Sequence, residues 1–362
     1  MPETALSPLP VYAARPTVRV DGREDETLNT LLTAMEMTES EGGMSALELT
    51  VRNIADTQCG DADFAWEDAR LLDFGKTLTV YAGDERAPSE IFRGVVTGLE
   101  GVFPRDGTPE LVVLAEDALQ RARMARRTTV HEDADIARLA RGMASDLSLT
   151  PVITGFEGSI GTQVQMNESD LAFLRRLLAD RDGDLQVVGT ELHVSPRADV
   201  RRGAVSLTMH GQLLEARVLA DLGHQVSSVT ATGWDPAQGA RISVQSTGAH
   251  PGPGRGATGA DTLQRAIGPR AEHVREVAVM TDAEAQALAD TVYDRRARRF
   301  VTVEATAQGN PALRVGTHVT LQGLGPRFSN TFYVVRATHR FDMENGYQTH
   351  FQAECAFLGE GA

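Results

Sequence analysis

Apolar and polar residues alternate with a period of two along most of this chain, and the places where the period changes mark its organisation. Runs such as Ala46-Leu47-Glu48-Leu49-Thr50-Val51, Thr77-Leu78-Thr79-Val80-Tyr81 and Glu110-Leu111-Val112-Val113-Leu114 are separated by Gly, Pro and Asp turns. Such a pattern predicts antiparallel strands over about 11–121, because successive strand side chains point to opposite faces. Past the basic stretch Arg121 to Arg127, Ile136, Leu139, Ala140, Met143 and Leu147 recur at helical spacing behind the acidic Glu132-Asp133, which suits a helix start. A second helix is expected from Ser169, with Leu171, Leu174, Leu177 and Leu178 on one face, Asn167 or Ser169 as cap and Gly183 as its end. Leu185 to Val188 and Glu191 to Val194 predict a small hairpin.

Alternation returns from Ala204, through Val226 to Thr232 and Ala240 to Val244, and is interrupted by Gly248 to Gly259, which reads as an exposed loop. A third helix is predicted over 281–299. It opens on the capping box Thr281-x-x-Glu284 and carries Ala285, Leu288, Ala289 and Val292 on one face. Strands are expected from there to the C-terminus.

The chain also repeats itself. Phe74-Gly75-Lys76-Thr77-Leu78-Thr79-Val80 can be laid on Val315-Gly316-Thr317-His318-Val319-Thr320-Leu321, and each is followed by a strand, an Asx-Gly turn and a second strand. Gly75 to Gly107 spans 32 positions and Gly316 to Gly346 spans 30. Matched order and spacing point to two related β modules, one in each half. Three copies of a two-module chain can close a pseudo-sixfold ring, in which no strand edge is left over.

Composition narrows the function. With 35 basic and 50 acidic side chains the 362-residue chain carries a formal charge of −15, which argues against binding that rests on neutralising phosphates. Cys59 and Cys355 form no CxxC or Cys/His spacing, so neither a disulfide framework nor a zinc site is expected. There is no charged segment followed by an apolar run at the N-terminus and no stretch of about 18 apolar residues. Synthesis in the cytoplasm without direct membrane insertion is the expectation.

Motifs that might carry chemistry have plainer readings. His131-Glu132-Asp133 sits where a helix start favours carboxylates. Asp180-Arg181-Asp182-Gly183-Asp184 places glycine fourth rather than sixth, unlike a calcium loop, and reads as a helix-ending turn. Gly252-Pro253-Gly254-Arg255-Gly256 lacks the Lys-Ser/Thr of a phosphate loop. His339 and His350 fall on predicted strands, and Glu116-Asp117 reads as solvated surface. Neither GxSxG nor HExxH occurs. No catalytic, cofactor-binding or metal-binding residue is therefore assigned, and no cofactor is expected.

Three segments together carry a family resemblance. Phe92-Arg93-Gly94-Val95-Val96 running to Ala115-Glu116-Asp117, the stretch Gln165-Met166-Asn167-Glu168-Ser169-Asp170-Leu171-Ala172-Phe173-Leu174, and Phe332 to His339 with Gly346-Tyr347-Gln348-Thr349-His350-Phe351 resemble the baseplate hub family of contractile injection systems. That family includes phage late control D proteins, contractile bacteriocin hubs and the N-terminal part of type VI secretion VgrG spikes. The likeness covers about 12–357.

It implies an α+β, mainly β fold with two tube-protein-like antiparallel β-barrels, over 1–127 and 204–362, and an α/β insert over 128–203 between them. It also implies a non-enzymatic homotrimer whose six barrels adapt a hexameric inner tube to a trimeric spike. The chain stops just after the second barrel, so the spike is expected to be a separate chain. Other baseplate proteins are further expected partners, specific nucleic acid is not, and the destination is the baseplate of a phage tail or tail-like particle. Two alternatives from other classes are a tail-associated peptidoglycan hydrolase and a secreted effector or fused spike fragment.

Overall fold

The alternating runs become twelve strands of one frame, antiparallel except at one pair, in the computed structural model, which describes residues 15–56, 62–84, 87–274 and 279–359. The first six are β1 (Thr17–Val20), β2 (Leu32–Ser40), β3 (Ala46–Arg52), β4 (Thr77–Ala82), β5 (Ser89–Val102) and β6 (Glu110–Glu116). The last six are β7 (Gly203–Thr208), β8 (Leu213–Ala220), β9 (Val301–Gln308), β10 (Thr317–Gln322), β11 (Asn330–Asp342) and β12 (Gly346–Cys355). Spatial order is β2-β3-β6-β5-β4-β1 in the first set and β8-β9-β12-β11-β10-β7 in the second. Adding six to each label turns one order into the other.

Even the irregularities recur. Pairing of β5 with β6 passes from Val96↔Ala115 to Gly98↔Leu114, leaving Thr97 extra. Pairing of β11 with β12 passes from Val334↔Ala353 to Arg336↔Gln352, leaving Val335 extra. A second bulge falls at Thr33 between β2 and β3 and at Leu214 between β8 and β9. The Gly75 N–H donates to the Val96 carbonyl at 2.9 Å, and the Gly316 N–H to that of Val334 at 3.0 Å. A bulge resets the register of everything beyond it, so matched bulges mark a repeat of fold and not of composition alone. Two details differ between the modules. β1 runs antiparallel to β4 whereas β7 runs parallel to β10. Gly346 (φ 69°) closes the tight turn into β12, but Asp106-Gly107 lies in a longer loop, 103–109, and makes no tight turn.

The expectation of two self-contained barrels needs correction. Among the described residues neither module closes on itself, and both join one 13-stranded sheet, whose remaining member is the two-residue Arg23–Glu24. The cause is the length of β11. Its residues 330–333 pair with β10, while residues 336–342 run past the end of β10 and pair with β2, from Arg336↔Ser40 to Asp342↔Ala34. Each module still has its own apolar core: Leu28, Leu49, Val80, Ile91 and Val113 centre the first, and Phe300, Val319, Phe332 and Phe351 the second. Phe341 and Tyr347 belong to the second module yet pack in the first core.

Between β6 and β7, α1 (Leu119–Met124), α2 (Ile136–Asp146) and α3 (Asp170–Ala179) pack on the hairpin Gly183–Val188/Glu191–Pro196 as an α/β insert that begins ahead of residue 128. Leu119 and Ala122 already belong to its core. The cap of α2 is Asp135, which accepts the Arg138 N–H at 2.9 Å, while Asp133 takes a left-handed φ of 46°. Ser169, not Asn167, caps α3, and Asp182 (φ 48°), not Gly183, takes the left-handed turn beyond it.

A second unit sits between β8 and β9, where the first module has only a short turn. Strands Ser228–Asp235, Ala240–Ser246 and Ala271–Val274 pack there on α4 (Asp282–Arg298), around Val229, Ile242, Leu288 and Ala289. Thr281 caps α4 as predicted, but the return arm of Glu284 reaches the Met280 N–H. The Gly/Pro-rich segment is the expected loop over 248–256, exposed along most of its length, and its last part is tied down, since Ala257–Thr258 pairs with Phe357–Leu358. Gly254 and Gly256 have φ of 108° and 123°, and a Cβ there would strike the Cys355 sulfur and the Leu358 carbonyl.

Candidate assembly interface

The seam between β2 and β11 is where the halves of the chain become one object. On the inner face of β2, Met35, Met37 and Glu39 are all buried, two of them apolar and one a carboxylate. The Glu39 Oε2 accepts an Arg314 N–H at 2.5 Å and its Oε1 accepts the Val315 N–H at 2.6 Å. Burial alone would raise its pKa, but the Arg314 guanidinium and the Val315 N–H together hold it below the usual carboxylate value. Opposite Met37, the buried His339 shares a hydrogen bond of 2.7 Å between Nδ1 and the Tyr347 hydroxyl. Burial first, and then the Arg314 charge, push the imidazole down to about 3, so it is neutral. On the outer face Thr38 and Thr338 hydroxyls meet at 3.2 Å, and Arg340 Nε donates to Glu36 at 2.8 Å.

Beside the seam, a buried ionic knot ties four pieces of the chain together. Arg197, from the turn after the insert hairpin, donates to Glu41 at the end of β2 and to Glu354 of β12, both at 2.5 Å, and its guanidinium lies 4.0 Å from the centre of the Tyr333 ring. Burial alone would lower the Arg197 pKa; Glu354 and Glu41 reverse that, so it is raised and the group stays charged. Arg298 of α4 makes a forked pair with Asp182 at 2.7 and 2.6 Å and approaches Glu354 at 3.5 Å. Forked guanidinium–carboxylate pairs fix orientation as well as distance. Asp184 is paired with Arg202 alongside.

The motifs weighed in the sequence are brought to structural tasks. His131 stacks on Phe173 with ring centres 5.0 Å apart and contacts Gln165. Asp182 and Asp184 are engaged in ion pairs, and His350 bonds the Thr306 hydroxyl at 2.9 Å. Of the pair Glu116-Asp117, Glu116 binds Arg123, and Asp117 has the raised carboxyl pKa that acid–base catalysis would use. Burial raises it to about 6, at the edge of a cleft of about 360 Å³. Both its oxygens, however, already accept N–H groups, from Ser45 at 2.6 Å and Leu119 at 2.9 Å. That makes it a clamp on the entry to α1. Among the described residues no group of three or more His, Cys, Asp or Glu could hold a metal ion, and no helix is long and apolar enough to cross a membrane. Cys59 lies outside the described residues.

Sequence reasoning missed Glu39, Arg197, Arg298 and Glu354. Only Glu39 left a trace, as a carboxylate in phase with Met35 and Met37 on the inward face of β2.

A protein-family model described as the Alg8 N-terminal domain matches residues 32–342. The chain belongs to this family. The Alg8 N-terminal domain match opens on the first residue of β2 and closes on the last residue of β11, and so takes in both strands of the seam. No curated protein matches by sequence. Among solved structures, the 43 kDa tail protein of prophage MuSo2 from Shewanella oneidensis is similar with a TM-score of 0.69 at 14% identity, over 94% of this chain and 97% of that one. The E. coli c3393 protein, a type VI secretion component with structural similarity to T4 tail proteins gp27 and gp5, gives 0.61 at 10% identity, over 95% and 79%. A chain of the Francisella PdpA-VgrG complex gives 0.52 at 8% identity, over 96% and 59%. This Alg8 N-terminal domain chain therefore shares the fold of these phage tail and type VI secretion proteins.

Two predictions test the seam. Arg197→Ala leaves Glu41 unpaired and Glu354 with only the longer contact to Arg298, and is expected to cost about 3–5 kcal/mol in urea unfolding, with Arg197→Met costing less. His339 is neutral in the folded chain down to about 3 but titrates near 6.5 when unfolded. Below 6.5 the unfolded state binds the extra proton, so this contribution is present above 6.5 and is lost as pH falls toward 3. The stability gap between the wild type and His339→Gln should accordingly narrow over that window, measured by urea unfolding at a series of pH values.

Proposed function

We propose that the chain is a non-enzymatic structural hub of a contractile injection system. As a homotrimer it forms a ring of six modules that adapts a hexameric inner tube on one side to a separate trimeric spike on the other. The single observation that carries this reading is the repeated six-strand module, joined edge to edge with its own copy. Three chains supply six equivalent β modules while keeping three of everything else, which is the arithmetic a six-to-three adaptor needs. The fold shared with tail and type VI secretion proteins supports the same setting.

Under this reading the chain divides at about 127 and 203 into module, insert and module. The insert and the unit on α4 occur once per chain and face other baseplate proteins. Assembly takes place in the cytoplasm, and the ring then travels as part of a phage tail or tail-like particle. The acidic balance suits protein partners better than nucleic acid.

The test is the solution mass by light scattering, followed by negative-stain imaging with candidate tube and spike proteins. A mass of three chains and a ring seated on the tube end are expected. A monomer that ignores both partners and clears a peptidoglycan suspension would put the hydrolase reading in its place.

A further inference from the structure

The insert carries a cleft of about 370 Å³ between its three helices and the ribbon of strands Arg126–His131 and Gln163–Ser169. Its floor is apolar: Leu139 and Met143 of α2, Leu174 of α3, and the Phe173 ring with His131 stacked on it. Its rim is charged. Arg121, Arg127 and Arg138 stand there against Asp146 and Asp170, three guanidiniums to two carboxylates, in a chain whose formal charge is −15. Arg127 is paired with Asp170. Arg121 and Arg138 have no carboxylate partner among the described residues; one donates to the Asp146 carbonyl at 3.1 Å and the other to the Asp133 carbonyl at 3.0 Å. A guanidinium carries its N–H donors in a fixed fork, so each keeps most of that fork for another acceptor.

Gly142 lines the same cleft from the interior of α2. Glycine weakens a helix interior relative to alanine, and nothing lies within 4 Å of where a Cβ would stand here. The packing of the chain itself thus gives no reason for a glycine, whereas close approach of another backbone to the helix does. The notch at Gly142 has Arg138 one turn before it and Asp146, whose carbonyl holds Arg121, one turn after it.

We infer that this cleft takes an extended segment of a partner protein, which sets a large apolar side chain on the floor, passes its backbone over Gly142 and places a carboxylate in the fork of Arg138. The segment is apolar because the floor is, and acidic because the unspent charge on the rim is positive. Nucleic acid is disfavoured by the two carboxylates on the rim and by the acidic chain around it. The cleft lies within the insert, so it serves this partner whether or not three chains close a ring.

An array of acetylated, amidated dodecapeptides tests this on the full-length chain. Each carries Leu or Phe and Asp or Glu at varied spacings in a Gly-Ser background. Control series put Lys in place of the acids or Ser in place of the apolar residues, and a single-stranded oligothymidine stands for nucleic acid. Binding confined to the acidic, apolar series is expected. For its best member, followed by fluorescence anisotropy, Arg138→Glu should weaken binding about tenfold or more, and Arg241→Glu, in the unit on α4, should not. Gly142→Ala is the sharper variant: it should raise the urea midpoint, since alanine favours the helix, yet weaken the peptide about tenfold, since its methyl fills the notch. Equal binding by a control series or by oligothymidine, no binding in any series, or an Arg138→Glu chain that binds as the wild type does overturns the inference. So does a Gly142→Ala chain that is less stable or binds the peptide unchanged. None of these outcomes reads the mass or symmetry of the assembly, so the hub reading stands or falls separately.

Discussion

A strand that outruns its neighbour presents unpaired backbone N–H and C=O groups, and something must satisfy them if the edge is to be buried. β11 runs past the end of β10, and β2 fills the exposed stretch. Most other features lean on that arrangement. It merges two modules into one sheet, draws Phe341 and Tyr347 into the neighbouring core, and forces Glu39 inward, where Arg314 must answer its charge. The corresponding stretches of β5 and β8 have no strand partner among the described residues.

Apolar cores hold each piece, and the ionic knot sets how the pieces meet. Arg197, Arg298, Asp182, Glu41 and Glu354 come from the insert, both modules and α4. Buried ion pairs add little net stability compared with apolar packing of the same volume, because desolvation offsets their attraction. Their value here is directional. A guanidinium that must reach two carboxylates on two strands tolerates little sliding of insert against sheet.

Much of this was legible in the sequence, for identifiable reasons. Period-two alternation found β3, β4 and β6, helical periodicity found α2, α3 and α4, and the aligned glycines Gly75 and Gly316 found the repeat. Strand pairing between the modules was not legible, because residues 34–40 and 336–342 lie far apart in the chain and nothing local in either names the other. The barrels expected from the family resemblance went wrong at that point: alternation says which face of a strand is buried, not whose edge it meets. That the loop at 248–259 is tied to the C-terminal segment was not legible for a related reason. Glycine and proline usually mark solvent-facing turns, yet at Gly254 and Gly256 the missing side chain lets the backbone close on Cys355 and Leu358. The ionic knot escaped because lone arginines such as Arg197 carry no pattern. Asp182 was read only as part of a turn, although it also grips α4.

The claim on which the account turns is that two modules of one chain are near-equivalent positions in a ring. The rotational power spectrum of end-on images of the isolated assembly tests it most directly. A strong sixfold component from the strand modules is predicted, with a weaker threefold component from the insert and the α4 unit, each present once per chain. A twofold spectrum, the mark of an isologous dimer, or a threefold spectrum without sixfold power would contradict it.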